Sequence, residues 1–113
     1  MKTPTLNLLV LKTDRMEECL SFYSALGLVF AAERHGSGPI HYSGRTGGLV
    51  LELYPRRPDG HSEAAVRLGF AVDDLSGVLG NVGGPSISPE ETEWGRRAVV
   101  RDPDGRAVEL YQA

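Results

Sequence analysis

The sequence is poor in cysteine, in basic residues and in long apolar runs, and each of these is required by a particular class of protein. Its single cysteine, Cys19, cannot form an internal disulfide, which fits a reducing compartment. Only 12 Lys and Arg stand against 15 Asp and Glu, and this balance argues against a nucleic-acid-binding surface. The apolar run from Leu8 to Leu11 is far too short for a signal core or a membrane span. These absences predict a cytoplasmic protein with no nucleic-acid or membrane partner.

The sequence contains one supersecondary pattern that occurs twice. Glu52 and Glu109 stand in matching contexts, Leu-Glu-Leu-Tyr and Val-Glu-Leu-Tyr, 57 residues apart. Two strand candidates end at Asp14 and Asp74, 60 residues apart. Self-similarity at a nearly constant period indicates two structurally equivalent halves. A length of 113 residues suits one domain, so we predict a single domain over residues 1–113. Its parts are module one at 5–54, a linker at 55–64 and module two at 65–112.

Module one is predicted to run strand, helix and then three strands. Asp14 suits the residue before a helix, and Glu17 would complete a capping box with it. Gly27 suits the left-handed residue that closes a helix. Apolar residues follow helical spacing at Met16, Cys19, Leu20 and Tyr23. The predicted strands are Leu6–Leu11, Leu28–Glu33, Ile40–Ser43 and Leu49–Tyr54.

Module two repeats this order with a weaker helix. Gly77 and Gly80 lie inside the predicted helix, and each costs up to about 1 kcal/mol relative to alanine. The predicted helix covers Asp74–Val82, and the predicted strands are Val66–Val72, a strand near Ser86, Arg96–Arg101 and Arg106–Tyr111. Between the last two strands, Asp102-Pro103-Asp104-Gly105 predicts a tight turn. By itself this motif specifies only a hairpin.

Three groups of residues occur in an order that resembles a known superfamily. They are Phe22-Tyr23 with Leu26-Gly27-Leu28, the strand end from Gly69 to Asp74, and the run from Arg101 to Leu110. Together they resemble the vicinal oxygen chelate superfamily, which contains glyoxalase I, bleomycin resistance proteins and extradiol dioxygenases. The resemblance implies an α+β fold in which two βαβββ modules form a curved mixed sheet, a half-barrel around a cleft. It also implies helices on the outer face and a homodimer.

The resemblance also indicates where a metal would be bound. In metal-dependent members, the ligands come from the first and last strands of each module, and Glu52 and Glu109 stand at two such positions. The other two positions carry Asn7 (or Leu8) and Arg67, where histidines often stand. A guanidinium stays protonated and has no available lone pair, so Arg67 would repel a divalent ion. These departures from the superfamily pattern favour a protein without a metal cofactor.

The three histidines leave one alternative open. His41 lies on a predicted strand, where it would replace a missing ligand or act as a base near neutral pH. A strand histidine with no function beyond a hydrogen bond is the more frequent situation. The alternative is thus a divalent metal such as Zn, Ni, Mn or Fe, held by Glu52, Glu109 and His41. His35 and His61 lie in a loop and in the linker, so we expect them to face solvent.

Alternation along the strands predicts which side chains face the cleft. One face carries Val50, Glu52 and Tyr54, then Arg67, Gly69 and Ala71, and finally Ala107, Glu109 and Tyr111. A desolvated charge without a partner costs several kcal/mol, so Arg67, Glu52 and Glu109 should find one another, a ligand or water. An ion pair that merely joins the modules explains this trio as well as a ligand site does.

Aromatic residues would supply the walls of a ligand pocket. The candidates are Tyr42, Tyr54, Tyr111 and Trp94, although each tyrosine also suits a packed strand position. The predicted ligand-binding residues are Asn7, His41, Glu52, Tyr54, Arg67, Glu109 and Tyr111.

Two classes of function agree with these observations. The first is a metal-free protein of the bleomycin-resistance type that binds a small molecule in the cleft. The second is an enzyme: a metal-dependent lyase, isomerase or dioxygenase using Glu52 and Glu109, or a metal-free one with a glutamate as the base. The missing histidines favour the first class. A module that only binds other proteins is a third class, for which the sequence offers no specific support.

Overall fold

The computed structural model describes residues 2–83 and 87–113. The elements in chain order are β1 Leu8–Thr13, α1 Met16–Ala25, β2 Phe30–Glu33, β3 His41–Thr46, β4 Leu49–Pro55, β5 Arg67–Ala71, α2 Leu75–Val82, β6 Glu90–Thr92, β7 Gly95–Arg101 and β8 Ala107–Gln112. Within these described residues, no helix has the length and apolar character that crossing a membrane requires.

Each half of the chain forms one four-stranded mixed sheet. The strand order is β1-β4-β3-β2 in the first sheet and β5-β8-β7-β6 in the second. In both sheets the first strand pairs in parallel with the last one, and the remaining pairs are antiparallel. In each module the helix follows the first strand and leads to the far edge of the sheet, from which three antiparallel strands return until the last one pairs with the first. The predicted α+β fold with two βαβββ modules is confirmed.

Most predicted elements are present, with shifts at their ends. β2 begins at Phe30 rather than Leu28, because Leu28 is buried in the core while Val29 is 84% exposed. Gly27 has a positive φ of 114° and follows α1, as expected of a residue that closes a helix. The strand predicted near Ser86 falls on a residue outside the described part of the chain. The first hairpin strand of module two that the structure describes is β6, further along at Glu90–Thr92.

The predicted cap of the first helix is wrong. The residue before α1 is Arg15, and no side chain in the described part of the chain caps this helix. Asp14 instead accepts a hydrogen bond from Arg56 at 2.7 Å, an ion pair that ties the start of the helix to the linker. The cap of α2 is as expected for a helix that starts after an aspartate, because the Asp74 carboxylate accepts from the backbone N–H of Gly77 at 3.1 Å.

The core lies between the helices and one face of each sheet. Leu51 and Leu53 of β4 and Val108 and Leu110 of β8 are almost fully buried, whereas the residues between them are partly exposed. The predicted alternation is therefore confirmed. Tyr23 of α1 is fully buried and joins the halves. We call the opposite face of each sheet, which carries Glu52 in module one and Glu109 in module two, the open face.

A buried polar network fastens the last hairpin of module two to module one. Arg106 is fully buried, and its guanidinium donates to the Asp102 carboxylate at 2.9 Å and to the backbone carbonyl of Lys12 at 2.6 Å. It also donates to Glu63 at 3.2 Å. The hydroxyl of Tyr23 donates to the same carboxylate oxygen of Asp102 at 2.7 Å. The turn that the sequence identified only as a hairpin thus joins α1, β1, the linker and β8.

Candidate functional site

Three metal-ligating side chains meet on the open face of module one. Glu33, His41 and Glu52 each present one oxygen or nitrogen, and these atoms all lie within 4.8 Å of one another. The ladders explain this proximity: Glu33 is opposite His41 between β2 and β3, and Ser43 is opposite Glu52 between β3 and β4. Residues two apart on a strand share a face, so all three side chains point the same way. We call them the Glu–His–Glu group.

His41 is the fixed centre of the Glu–His–Glu group. Its side chain is 1% exposed, and its Nδ1 lies 3.3 Å from the carbonyl oxygen of Pro39. Its Nε2 lies 3.7 Å from the Glu52 carboxylate, which is beyond hydrogen-bonding distance. The ring of Tyr54 stacks on the imidazole with centroids 4.1 Å apart and an interplanar angle of 10°. The exposed ring of His35 contacts it as well, with centroids 5.0 Å apart.

Tyr54 supplies a hydroxyl beside the Glu–His–Glu group. Its oxygen lies 3.3 Å from Nε2 of His41. Partial burial raises the pKa of Tyr54, and the carboxylates of Glu52 and Glu33 raise it further. The hydroxyl therefore stays protonated at neutral pH and can donate a hydrogen bond.

Module two holds an arrangement of the same form with a different residue in the centre. Glu90 is opposite Arg97 between β6 and β7, and Val99 is opposite Glu109 between β7 and β8. The Arg97 guanidinium donates to Glu109 at 2.6 Å and to Glu90 at 2.8 Å. The hydrogen bonds that Arg97 donates, first to Glu109 and then to Glu90, raise the pKa of Arg97. Both carboxylates of this group are therefore paired with a permanent cation.

The seven sequence-predicted site residues fall into separate places. His41, Glu52 and Tyr54 lie together in module one, while Glu109 and Tyr111 lie on the sheet of module two, where the hydroxyl of Tyr111 donates to the carbonyl of Trp94. Asn7 is exposed just before β1, where its carbonyl accepts from Val50. Arg67 is exposed at the start of β5.

The expected trio of Arg67, Glu52 and Glu109 does not form an ion pair. Among residues 2–83 and 87–113, Arg67 has no salt bridge, and the cation that pairs with Glu109 is Arg97. The reason is register: Arg97 lies on the strand adjacent to Glu109 and reaches it along the same face, two residues from the position directly opposite. No role was predicted for Arg97 or Glu33, although the hairpin partner of His41 could have been found by counting back across the turn at Gly36 and Gly38.

The metal site that the resemblance implies does not fit this donor set. Its four positions carry Asn7, Glu52, Arg67 and Glu109. Arg67 offers no lone pair, and the Glu109 carboxylate is occupied by a guanidinium. The alternative set of Glu52, Glu109 and His41 stays a prediction. The compact group in the structure contains Glu33 in place of Glu109.

In the described part of the chain, two cavities border the strands of module one. One of about 440 Å³ borders Tyr54 and is closed by Lys12, Pro39 and linker residues from Pro55 to Glu63. The other, of about 410 Å³, is mostly apolar and lies between Leu9, Leu49 and Leu51 of module one and Leu68 and Phe70 of module two. Both volumes fall in the range of small-molecule sites. The linker, which the sequence assigned no role, therefore forms one wall of a cavity.

The fold and these clusters define a class: a two-module βαβββ protein with polar groups on the open sheet faces. Residues 5–110 match the Glyoxalase/Bleomycin resistance protein/Dioxygenase superfamily. Because this match spans nearly the whole chain, the protein belongs to that superfamily. Among proteins with curated descriptions, none matches the sequence.

Solved structures share the fold over almost the full length. TnmS3, described as an antibiotic binding protein from Streptomyces sp. CB03234, is 22% identical with a TM-score of 0.72, and the match covers 99% of this chain and 98% of that one. A bleomycin-binding protein solved with bleomycin is 26% identical with a TM-score of 0.60, covering 98% and 99%. A bleomycin resistance determinant encoded on transposon Tn5 is 24% identical with a TM-score of 0.62, covering 96% and 98%.

Proposed function

We propose that this protein binds a small molecule in a concave cleft lined by the open faces of its sheets, and that binding needs no catalytic metal. The observation that carries the proposal is the Glu–His–Glu group. It places two carboxylates beside an aromatic ring, and the only cationisable partner within salt-bridge distance of Glu52, among the described residues, is His41. In module two the corresponding carboxylates are both paired with Arg97. Module one therefore offers the negative charge.

This charge pattern favours a cationic, hydrogen-bonding ligand with an aromatic or planar part. Two carboxylates attract a cation, and a tyrosine face adds to that attraction when the cation lies over the ring. The cavity beside Tyr54 has room for part of such a molecule. A bleomycin-binding protein and an antibiotic binding protein have the same fold, which supports this choice of ligand class.

The proposed contacts extend from the Glu–His–Glu group towards module two. Glu52, His41 and Tyr54 form the recognition centre. Tyr111 and Glu109 would contact the ligand from the second sheet. Asn7, just before edge strand β1, and Arg67, the first residue of edge strand β5, are both exposed and would contact polar groups at the margin of the ligand.

Calorimetric titration with bleomycin tests the proposal. The titration is run with the full chain in a chelator, so that no metal contributes. We expect saturable binding that weakens at high salt, because exposed charges are screened. Glu52→Gln should weaken binding by at least about tenfold, since a hydrogen bond to a charged group contributes roughly 1.5–3 kcal/mol.

Glu91→Gln is the matched control for that titration. Glu91 is an exposed carboxylate on the sheet of module two, where it pairs with Arg96 at 3.0 Å. We expect this variant to bind bleomycin as the unchanged chain does. Equal weakening by both substitutions would reduce the effect to net charge and remove the assigned role of Glu52. Absence of any saturable binding by bleomycin and by other cationic antibiotics would contradict the proposal itself.

The enzymatic alternative has less support from the geometry. A lyase, isomerase or dioxygenase with a divalent metal on Glu52, Glu109 and His41 would require Glu109 to leave Arg97, from which it accepts a hydrogen bond at 2.6 Å. The corresponding experiment is a Glu109→Gln variant assayed with hemithioacetals and catechols. Turnover that depends on both Glu109 and added metal would favour the enzyme.

We also propose that the protein acts as a homodimer in the cytoplasm. Among the described strands, β1 pairs with β4 alone, and its open-face residues Leu8 and Val10 are 49% and 37% exposed. Exposed apolar groups on an edge strand favour association with a second copy. Analytical ultracentrifugation should show a dimer that Leu8→Lys with Val10→Lys converts to a monomer. A monomeric unchanged chain at all accessible concentrations would contradict the dimer.

A further inference from the structure

We propose that Glu33, His41 and Glu52 bind a divalent transition-metal ion of borderline character, such as Zn²⁺, within module one alone. This position lies on β2, β3 and β4. It differs from the four positions on the first and last strands that the superfamily resemblance implies. The ion would occupy the carboxylates to which the proposed function assigns a cationic ligand, so the two occupants exclude each other; the chelator in the bleomycin titration and the absence of an organic ligand in the metal titration keep the two tests separate.

The donor set suits such an ion. One imidazole nitrogen with two carboxylate oxygens is a mixed nitrogen and oxygen set, which borderline metals accept. Around a tetrahedral ion with bonds of about 2.0–2.2 Å, ligand atoms lie about 3.3–3.6 Å apart. Nε2 of His41 and the Glu52 carboxylate oxygen are already 3.7 Å apart. All three donor atoms lie within 4.8 Å of one another, so a movement of at most about 1.5 Å brings them to that spacing.

The orientation of His41 is the second, independent observation. A carbonyl oxygen can only accept, so Nδ1 facing the carbonyl of Pro39 must carry the hydrogen. In the neutral ring Nε2 then has its lone pair free for a metal, and a carbonyl on the other nitrogen is the usual support of a metal-bound histidine. Tyr54 stacks above the ring at an angle of 10°, so its hydroxyl does not lie along that in-plane lone pair. Glu52, at 3.7 Å, is too distant for a hydrogen bond.

Module two shows that this position on the fold holds a cation. Arg97 occupies the place of His41, because it is opposite Glu90 as His41 is opposite Glu33. Its guanidinium bonds to both flanking carboxylates. Histidine is a shorter side chain and leaves space between the carboxylates of module one. A metal ion there would supply the positive charge that a guanidinium supplies in module two.

Three protein ligands leave at least one coordination position free. A metal site with three protein ligands and an open position is typical of sites that bind water or an exogenous ligand, whereas structural zinc sites have four. Tyr54, which borders both the Glu–His–Glu group and the cavity of about 440 Å³, lies where such a ligand would enter. The chemical class of that ligand is a small anionic or neutral oxygen donor.

Calorimetric titration of the metal-stripped full chain with Zn²⁺ is the test, together with the visible absorption spectrum after Co²⁺ addition. We expect one ion per chain. Loss of a supporting partner around a metal already lowers affinity by about 10- to 100-fold, so Glu33→Gln should weaken binding by about 100-fold or more. His41→Arg should abolish binding, because the new guanidinium would pair with both glutamates as Arg97 does. Circular dichroism confirms that each variant is folded.

Glu90→Gln is the matched control, because Glu90 holds in module two the place that Glu33 holds in module one. It should leave the stoichiometry and affinity for Zn²⁺ unchanged, and the Co²⁺ spectrum should stay as in the unchanged chain. The proposal is overturned if the unchanged chain binds no ion with saturation. It is equally overturned if Glu33→Gln binds as tightly as Glu90→Gln does.

Discussion

Each module has a glutamate on its second strand and another on its fourth strand, on either side of one residue of its third strand. That central residue differs between the modules. In module one a buried histidine lies between Glu33 and Glu52, and in module two an arginine lies between Glu90 and Glu109. Arginine is always charged and fills the space between its glutamates, whereas a histidine leaves space and a lone pair. The comparison indicates that the central residue decides whether the two glutamates are already paired or are available to bind an added cation.

The modules also differ in the turn before their last strand. In module one the turn at Gly47 and Gly48 is exposed, and Gly47 adopts a positive φ of 58°. In module two the turn holds Asp102 and Arg106, both buried and bonded to module one. The first turn only reverses the chain, while the second one fastens the halves together.

We expect the largest fall in the free energy of unfolding when the carboxylate of Asp102, in the turn of module two, is removed. Asp102→Ala leaves the Arg106 guanidinium buried without its principal anion and removes the acceptor of the Tyr23 hydroxyl. Breaking a buried ion pair from one side costs about 3–5 kcal/mol, so the free energy of unfolding should fall by that amount. Urea denaturation followed by circular dichroism measures it.

An exposed ion pair of the same module is the control for Asp102. Glu91 is 75% exposed and pairs with Arg96 at the surface. Glu91→Ala should change the free energy of unfolding by less than about 1 kcal/mol. Similar losses in the two variants would mean that the buried network is no stronger than a surface pair.

Arg97→His should convert the closed group of module two into an open one. The variant would then have Glu90, a histidine and Glu109 in the arrangement that module one has. We expect the Zn²⁺ stoichiometry of the full chain to rise from one to two, with the second affinity within about 100-fold of the first, a difference of about 2.7 kcal/mol. A variant that still binds one ion would show that the two positions are not equivalent.

Stability should fall at alkaline pH because of Cys19. Burial raises the pKa of this thiol from 9.0 to about 12, so the folded chain keeps a proton that the unfolded chain releases. The contribution is complete below pH 9.0 and is lost as the pH rises towards about 12. We expect the free energy of unfolding to drop by about 2 kcal/mol between about pH 8.5 and 10.5.

Cys19→Ala is the control for that pH profile. Its stability should stay level to about pH 10, where a tyrosine in the unfolded chain begins to ionise. Burial and the Asp102 carboxylate raise the pKa of Tyr23 as well, so both chains should lose stability beyond that point. The same decline in both chains from about pH 8.5 would contradict the role given to the thiol.

The smallest expected difference concerns the starts of the two helices. Asp74→Ala removes the side-chain cap of α2 and should cost about 1 kcal/mol. Asp14→Ala removes only a partly exposed ion pair with Arg56 and should cost a few tenths of a kcal/mol. Urea midpoints of the two variants measure the difference, and a larger loss for Asp14→Ala would reverse this ranking of the helix starts.

The fold was predictable because its signals are local and repeated. Alternation in β4 and β8, helical spacing in α1 and the recurrence of the Glu-containing strands all report backbone geometry within a few residues. The helix start at Asp14 was predicted wrongly, because a capping aspartate and one that binds a distant arginine look alike in sequence. Arg56 is 42 residues away, and nothing local indicates that it takes this carboxylate.

The site was predictable only in part because its contacts depend on strand register. Glu52, Tyr54 and His41 were found from their strands, and they do lie together. Glu33 and Arg97 were missed, since the partner of a residue across a hairpin shifts to the other face with every change in loop length. The buried network around Arg106 was missed for a related reason: its acceptors come from β1, the linker and the turn.

The buried Arg106 shows that the two duplicated halves contribute different features to the protein. A protein made of two copies of module one would have two open cation positions and no arginine to hold its halves together. A protein made of two copies of module two would have both cation positions filled by its own side chains, but would lack Tyr23 and Glu63, which bond to Asp102 and Arg106. Each half therefore supplies groups that the other lacks, so neither could be replaced by a second copy of the other.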